Sequence, residues 1–210
     1  MAGLIDQKDQ THYGVNVTGT ANIVKALSNH KETKLAYISA INSDMGGTQY
    51  FATKMAAEKN VMRHGNHAII RPSLLYGEHD HLVTQLLSLS SGFVPAIPKS
   101  GFLHPVYMGD FSKVLQKLLG ENGQFDVCSY EKLRLGDMLN IVREKQGKGR
   151  IRQLPIGLFS LASPMLNALN IISYEQLAML KYDFFREDTV LYKYVSKPKK
   201  FSEFINEYIK

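Results

Sequence analysis

The sequence predicts an α/β fold, and three observations carry the prediction. The stretch Leu35 to Gly77 runs as an apolar, β-prone segment (LAYISA), a helix-forming segment (YFATKMAAEKNVMRHG) and a second apolar segment (HAIIRPSLLYG), the order of strand, helix and strand. Helical patterns flank this unit on both sides, and a further short strand (FDVCS) follows. The chain has 210 residues, 44% hydrophobic and 21% charged, enough to bury a core as one domain or as a domain with a small lobe.

In chain order, Asp9 to Ser28 reads as an amphipathic helix. Leu35–Ala40 is the first strand, ending at Ser39, and a loop with Ser43, Gly46, Gly47 and Thr48 leads into the helix Tyr50–Gly65. His67–Gly77 is the second strand, stopped by Pro72 and turned at Tyr76–Gly77. A helix over about Leu82–Ser91 precedes a proline- and glycine-containing stretch, FVPAIPKSGFLHPVYMGD, that ends in a short strand. Asp110 is placed to cap the helix FSKVLQKLLG, which Gly120 closes. After FDVCS, Leu133, Met138, Leu139, Ile141 and Val142 give an apolar face to a helix over about Tyr130–Lys145. The basic loop REKQGKGRIR follows, and FSEFINEYIK forms a short amphipathic helix.

The spacing of Tyr50 and Lys54 carries the chemistry. Residues four apart share one face of a helix, one turn from each other. An ammonium near a phenol favours the phenolate, so Tyr50 could give or take a proton near neutral pH. A hydroxyl at the end of the preceding strand, Ser39, could hold a substrate oxygen against that phenol; Ser43 and Thr48 are alternative hydroxyls. This is the proton-transfer half of a carbonyl–alcohol redox site, and the hydride half would come from a bound nicotinamide. The bland alternative is an exposed tyrosine and lysine on an ordinary helix.

With YGVNVTGTANIVKAL (13–27), YISAINSD (37–44), YFATKMAAEK (50–59), IIRPSLLYGEHD (69–80) and HPVYMGDFSKVL (104–115) in that order, and a weaker ISYEQLAMLKYD (172–183), the chain resembles the extended or atypical short-chain dehydrogenase/reductase superfamily. The likeness is greatest to the nucleotide-binding accessory subunit of respiratory complex I and its bacterial relatives. The resemblance implies the C-terminal part of a Rossmann-type, doubly wound, mostly parallel sheet with a small helical substrate lobe. Residues 1–120 would form a truncated NAD(P)-binding domain and 121–210 a mostly helical lobe. It further implies Tyr50 as general acid/base, Lys54 as the group that lowers its pKa and binds the ribose, and Ser39 as the group that positions the oxygen. Tyr50, Lys54, Asn16, Pro72 and Ser73 would contact NAD or NADP. Many members carry consecutive serines where Ala40 here follows Ser39.

No G-x-G-x-x-G or G-x-x-G-x-x-G run occurs among the sixteen glycines. The anion site that such a turn makes at a helix N-terminus is therefore missing, and with it most of the expected affinity for the cofactor. The strand Leu35–Ala40, central in the superfamily, would lack a neighbour on one side and be prone to pair with another chain. The expectation is a truncated product, a fragment, or a protein that completes its sheet with a partner. Two functions follow: a degenerate nucleotide-binding scaffold or assembly factor that docks to complex I components or a membrane-associated partner, or a working NAD(P)-dependent reductase or epimerase whose phosphate site another chain supplies.

Composition narrows the remaining classes. One cysteine, Cys128, rules out an internal disulfide and suits a reducing compartment. No zinc-type Cys/His spacing occurs, and His79–Asp80–His81 reads as a solvated loop, so no metal is expected. The start, MAGLIDQKDQ, is too polar for a signal peptide. A net charge of +6 suits an acidic partner or membrane surface, and nucleic acid is not expected as a partner. Leu154–Ile172 is uncharged, but Pro155, Gly157, Pro164, Asn167 and Asn170 make it a poor span, better suited to buried core or to an interfacial or docking surface, with Arg150, Arg152 and KPKK (197–200) nearby. The expected location is the cytoplasm, with membrane association or the mitochondrial matrix side as the alternative.

Overall fold

The computed structural model describes residues 11–92, 94–161 and 174–209. Pro164, the amides at 167 and 170, and the start of the 172–183 match lie outside the described residues. The amphipathic helix expected from Asp9 is described only from its second turn, and it is composite. A π-helical turn, Tyr13–Thr18, runs into α1, Gly19–Ala26. The wider turn is visible in the Gly19 N–H, which reaches the Gly14 carbonyl. Side chains take up the carbonyls of this turn: Thr20 donates to Asn16 O at 2.7 Å, and Asn60 to Val17 O at 3.1 Å.

The central sheet has three parallel strands in the order β1 (Leu35–Ile38), β2 (His67–Pro72), β6 (Gly123–Val127). Leu35 pairs with His67 and Ile38 with Ile70; Ala68 pairs with Gly123 and Pro72 with Val127. The crossover from β1 to β2 is helix α2 (Gln49–Met62). Parallel neighbours require such a crossover, so the strand–helix–strand pattern of the sequence and the parallel pairing are one fact. β6 comes from beyond residue 120, so the sheet draws on both halves of the chain.

The expected strand 67–77 divides at Pro72, which has no N–H for the ladder. Ser73 N–H bonds to Val127 O at 2.8 Å, and the chain then leaves the sheet as β3 (Leu75–Tyr76). β3 pairs with β5 (Val106–Tyr107), and β4 (Ala96–Lys99) pairs with β7 (Arg152–Pro155), both in parallel. Helix α3 is His81–Ser91, capped by Asp80, which accepts from Leu82 N–H at 2.9 Å. Helix α4 is Met108–Leu118, so Asp110 stands in its first turn and is not its cap. Its buried carboxylate instead accepts from Lys113 at 2.9 Å and from Lys199 N–H at 2.7 Å, fastening the C-terminal segment. Helix α5 starts at Leu135, later than the apolar pattern suggested, because Arg134 is extended and receives the Asp137 carboxylate on its N–H. The chain continues through a helical segment α6 at 156–161, then α7 (Tyr174–Met179), α8 (Leu191–Tyr194) and α9 (Phe201–Tyr208).

Two apolar clusters hold these layers. Phe51, Tyr76, Leu86, Met138, Leu139, Phe201 and Phe204 join α2, β3, α3, α5 and α9. Ile70, Val106, Phe111, Val114, Val127 and Leu191 join β2, β5, α4, β6 and α8. β1 is treated differently from its neighbour. Ala68, Ile69, Ile70 and Pro72 of β2 are buried, whereas in β1 Ala36 is exposed and Leu35, Tyr37 and Ile38 are only partly covered. Among the described residues β1 is paired on one side alone, to β2. No helix among the described residues is long and apolar enough to cross a membrane.

Candidate functional site

The site is built on one face of α2. Thr48 caps this helix through its hydroxyl, which accepts from Phe51 N–H at 3.1 Å. Phe51, Ala57 and Val61 turn into the core, and that fixes the rotation of the helix. The face carrying Tyr50, Lys54 and, one further turn on, Glu58 then lies over the end of β1.

At the Tyr50 end the sequence-predicted groups are brought together, but not in an activated state. Lys54 is 5% exposed, and its ammonium donates to the Ile38 carbonyl at 3.0 Å. It lies 5.1 Å from the centre of the Tyr37 ring and 5.9 Å from that of Tyr50. Burial lowers the Lys54 pKa to about 8 against the opposing pull of Glu58, and burial pushes the Tyr50 phenol up to about 12. Against the expectation that Lys54 draws Tyr50 toward the phenolate, burial shifts the phenol the other way. Asn16, buried on the π-helical turn, donates to Thr53 Oγ1 at 3.1 Å and so sits one turn along from Tyr50. His12 meets the Tyr50 ring edge to face at 5.9 Å. Among the described residues, both ring nitrogens of His12 and the Tyr37 hydroxyl are buried without a hydrogen-bond partner, a state that costs free energy unless something else supplies one.

At the other end the Glu58 carboxylate is fully satisfied. Glu58 is 2% exposed, and Arg71 grips it with Nε at 2.9 Å and Nη2 at 2.5 Å. Ser43 donates to the same carboxylate at 2.8 Å, and Ser39 donates to it as well. Gln124 accepts from Arg71 at 2.8 Å and ties the group to β6. The hydrogen bonds that Arg71 donates to Glu58 raise the Arg71 pKa further. Ser39 therefore lies at the end of β1 as expected, but its hydroxyl is turned to Glu58. Each hydroxyl has one proton to donate, so neither Ser39 nor Ser43 can offer it to a carbonyl without giving up the buried carboxylate. Thr48 is spent as the helix cap.

Pro72 and Ser73 end β2 beside this face. The Pro72 carbonyl accepts from Ile41 N–H at 3.0 Å, and the Ser73 hydroxyl donates to Leu103 O. Sequence reasoning missed Glu58, Tyr37 and His12, and read Arg71 only as part of a strand. Two signals pointed to the pair: Glu58 extends the Tyr50–Lys54 spacing by another four residues, and Arg71 is a lone charge in an apolar strand, which demands a partner.

No protein-family model matches the chain, and no curated protein matches its sequence. Solved structures do. A dTDP-4-dehydrorhamnose reductase from Bacillus anthracis in complex with NADP superposes with a TM-score of 0.67 at 19% identity, over 93% of this chain and 71% of that one. The Bordetella bronchiseptica enzyme WbmG in complex with NAD gives 0.70 at 14% identity, over 98% and 67%. Triphenylmethane reductase from Citrobacter sp. complexed with NADP(H) gives 0.69 at 13% identity, over 95% and 74%. At these identities the likeness is one of fold, and the architecture of this chain is the Rossmann-type, parallel-sheet α/β fold that the three nicotinamide-nucleotide complexes share.

Proposed function

We propose that the chain is a nucleotide-binding scaffold of the short-chain dehydrogenase/reductase type that does not turn over, comparable in role to the accessory subunit of respiratory complex I or an assembly factor. One observation carries the reading: the hydroxyls of Ser39 and Ser43 are both donated to the Glu58–Arg71 pair. A reductase of this class needs such a donor at the substrate oxygen, together with an acid whose pKa lies near the working pH. Here the donor is taken and the Tyr50 phenol is pushed to about 12.

The residues present fit the nicotinamide–ribose end of NAD or NADP. Lys54 uses one ammonium proton on Ile38 O and keeps two for the ribose hydroxyls. The unpartnered His12 and Tyr37 atoms mark polar demand around the same face, while Asn16, Pro72 and Ser73 border it. When bound, the cofactor would supply hydride chemistry. The pyrophosphate has no glycine-rich turn in this sequence to receive it. A partner, a complex I component among the candidates, could add a strand to the side of β1 that is unpaired among the described residues.

Calorimetric titration of the chain with NADH and NADPH tests this. The expected result is no binding at millimolar cofactor by the chain alone, and recovery when its partner is present. Micromolar binding by the isolated chain that is lost in Lys54→Met would favour the second reading, an active NAD(P)-dependent reductase or epimerase. That alternative draws support from the convergence of Tyr50, Lys54 and Asn16 on one helix face, and it requires Tyr50→Phe to abolish turnover while the fold persists.

A further inference from the structure

The segment from 150 to 161 builds a surface that the nucleotide reading does not use. Along residues 150–154 exposure alternates with period two: Arg150, Arg152 and Leu154 face outward, while Ile151 and Gln153 face in. The inward side is locked. The buried Asn140 side chain accepts from Ile151 N–H at 2.7 Å and donates to its carbonyl at 3.3 Å, and Gln153 donates to Asp137 at 2.8 Å. The strand therefore cannot roll to hide its outer row. A few residues further on, α6 exposes Leu158 and Leu161, three apart and thus neighbours on the helix, at 54% and 83%.

Residues 150–161 thus expose two arginines followed by three leucines. None of these leucines belongs to either core cluster. Among the described residues neither arginine makes an ion pair. From Lys145 to Tyr174 the sequence has Lys145, Lys148, Arg150 and Arg152 and no acidic residue. Exposed leucines within a few residues of unpaired cations match a bilayer interface, where guanidinium groups meet anionic headgroups and apolar side chains reach the acyl boundary.

We infer that Arg150, Arg152, Leu154, Leu158 and Leu161 form a peripheral docking surface for an anionic lipid bilayer. The chain binds there without spanning, and the surface uses none of the residues assigned to the nucleotide site, so either reading can fail without the other.

Co-sedimentation with vesicles tests it, using phosphatidylcholine alone and phosphatidylcholine mixed with phosphatidylglycerol. The wild-type chain is expected to bind the mixed vesicles and to release as salt is raised. Arg150→Gln with Arg152→Gln should weaken that binding about thirtyfold, and Leu158→Ser with Leu161→Ser at least about tenfold. All four side chains are exposed or flank exposed backbone, so the circular dichroism spectrum should be unchanged in both variants. Three outcomes overturn the inference: no binding to either vesicle, equal binding to both, or loss in the arginine variant with none in the leucine variant, which would leave only unspecific charge attraction. Self-association of the wild type that the leucine variant abolishes, without vesicle binding, would assign the leucines to a second copy of the chain and equally overturn it.

Discussion

The two ends of one helix face are built on opposite terms. At the Glu58 end of α2 a buried carboxylate receives two hydroxyls and both arms of a guanidinium. At the Tyr50 end an almost buried ammonium has one backbone partner, and the neighbouring His12 and Tyr37 atoms have none. The first arrangement is closed and holds the end of β1 against the helix. The second is less completely paired, with polar atoms of His12 and Tyr37 that lack a partner among the described residues. One helix face thus passes within a turn from the fully paired carboxylate of Glu58 to the sparsely paired ammonium of Lys54.

The largest effect should come from breaking the closed end. Glu58→Gln leaves Arg71 with an uncompensated charge and should lower unfolding stability by about 3–5 kcal/mol in urea titrations; a loss below about 1 kcal/mol would mean that the network does not hold the strand. The open end should show itself through pH. Lys54 has a folded pKa of about 8 against an unfolded value of about 10.4. Between these values the unfolded chain binds more protons, so stability rises with pH, by up to about 3 kcal/mol. Above about pH 10 the trend reverses, because the unfolded tyrosines ionise while Tyr50 and Tyr37, both raised by burial, stay protonated. Lys54→Met should flatten the rise and leave the fall. Ser39→Ala removes one of several donors to a carboxylate that remains paired and should cost about 1–2 kcal/mol. Tyr50→Phe should change stability by no more than about 0.5 kcal/mol. A greater loss would show that the phenol is a structural group and blur the contrast between the two ends.

Much of the architecture was legible in the residues. The strand–helix–strand unit from Leu35 to Pro72 and the final amphipathic helix follow from apolar period and helix propensity alone. Local pattern did not reveal what depends on distant partners. Asp110 looks like a cap in sequence, and only the arrival of Lys199 explains its burial. The helix at Leu135 starts late because Arg134 is extended, with its N–H on the Asp137 carboxylate and its guanidinium on the Ser100 carbonyl, the second a contact made across the fold. The π-helical turn at Tyr13–Thr18 has no signature in composition, since it depends on Asn60 from α2 accepting its role as donor. Helix spacing put Tyr50 and Lys54 on one face of α2, and the apolar run put Ser39 at the end of β1, as the structure has them. The direction of the Ser39 hydroxyl was set by Glu58, a competitor whose pairing with Arg71 joins residues from a helix and a strand.

The single cysteine has a practical consequence. Cys128 is buried, its thiol raised by burial, with Sγ donating to the Arg186 carbonyl at 3.3 Å and Thr189 bonded to its backbone on both sides. Arg186 in turn reaches back to Asp44 at 2.7 Å and Asn42 at 3.0 Å in the loop that follows β1. A disulfide reagent can meet that sulfur only after the segment around 186–189 has lifted off, so the rate of colour release becomes a clock for one local opening event. The chain thus carries a stopwatch at the seam between its first and last thirds.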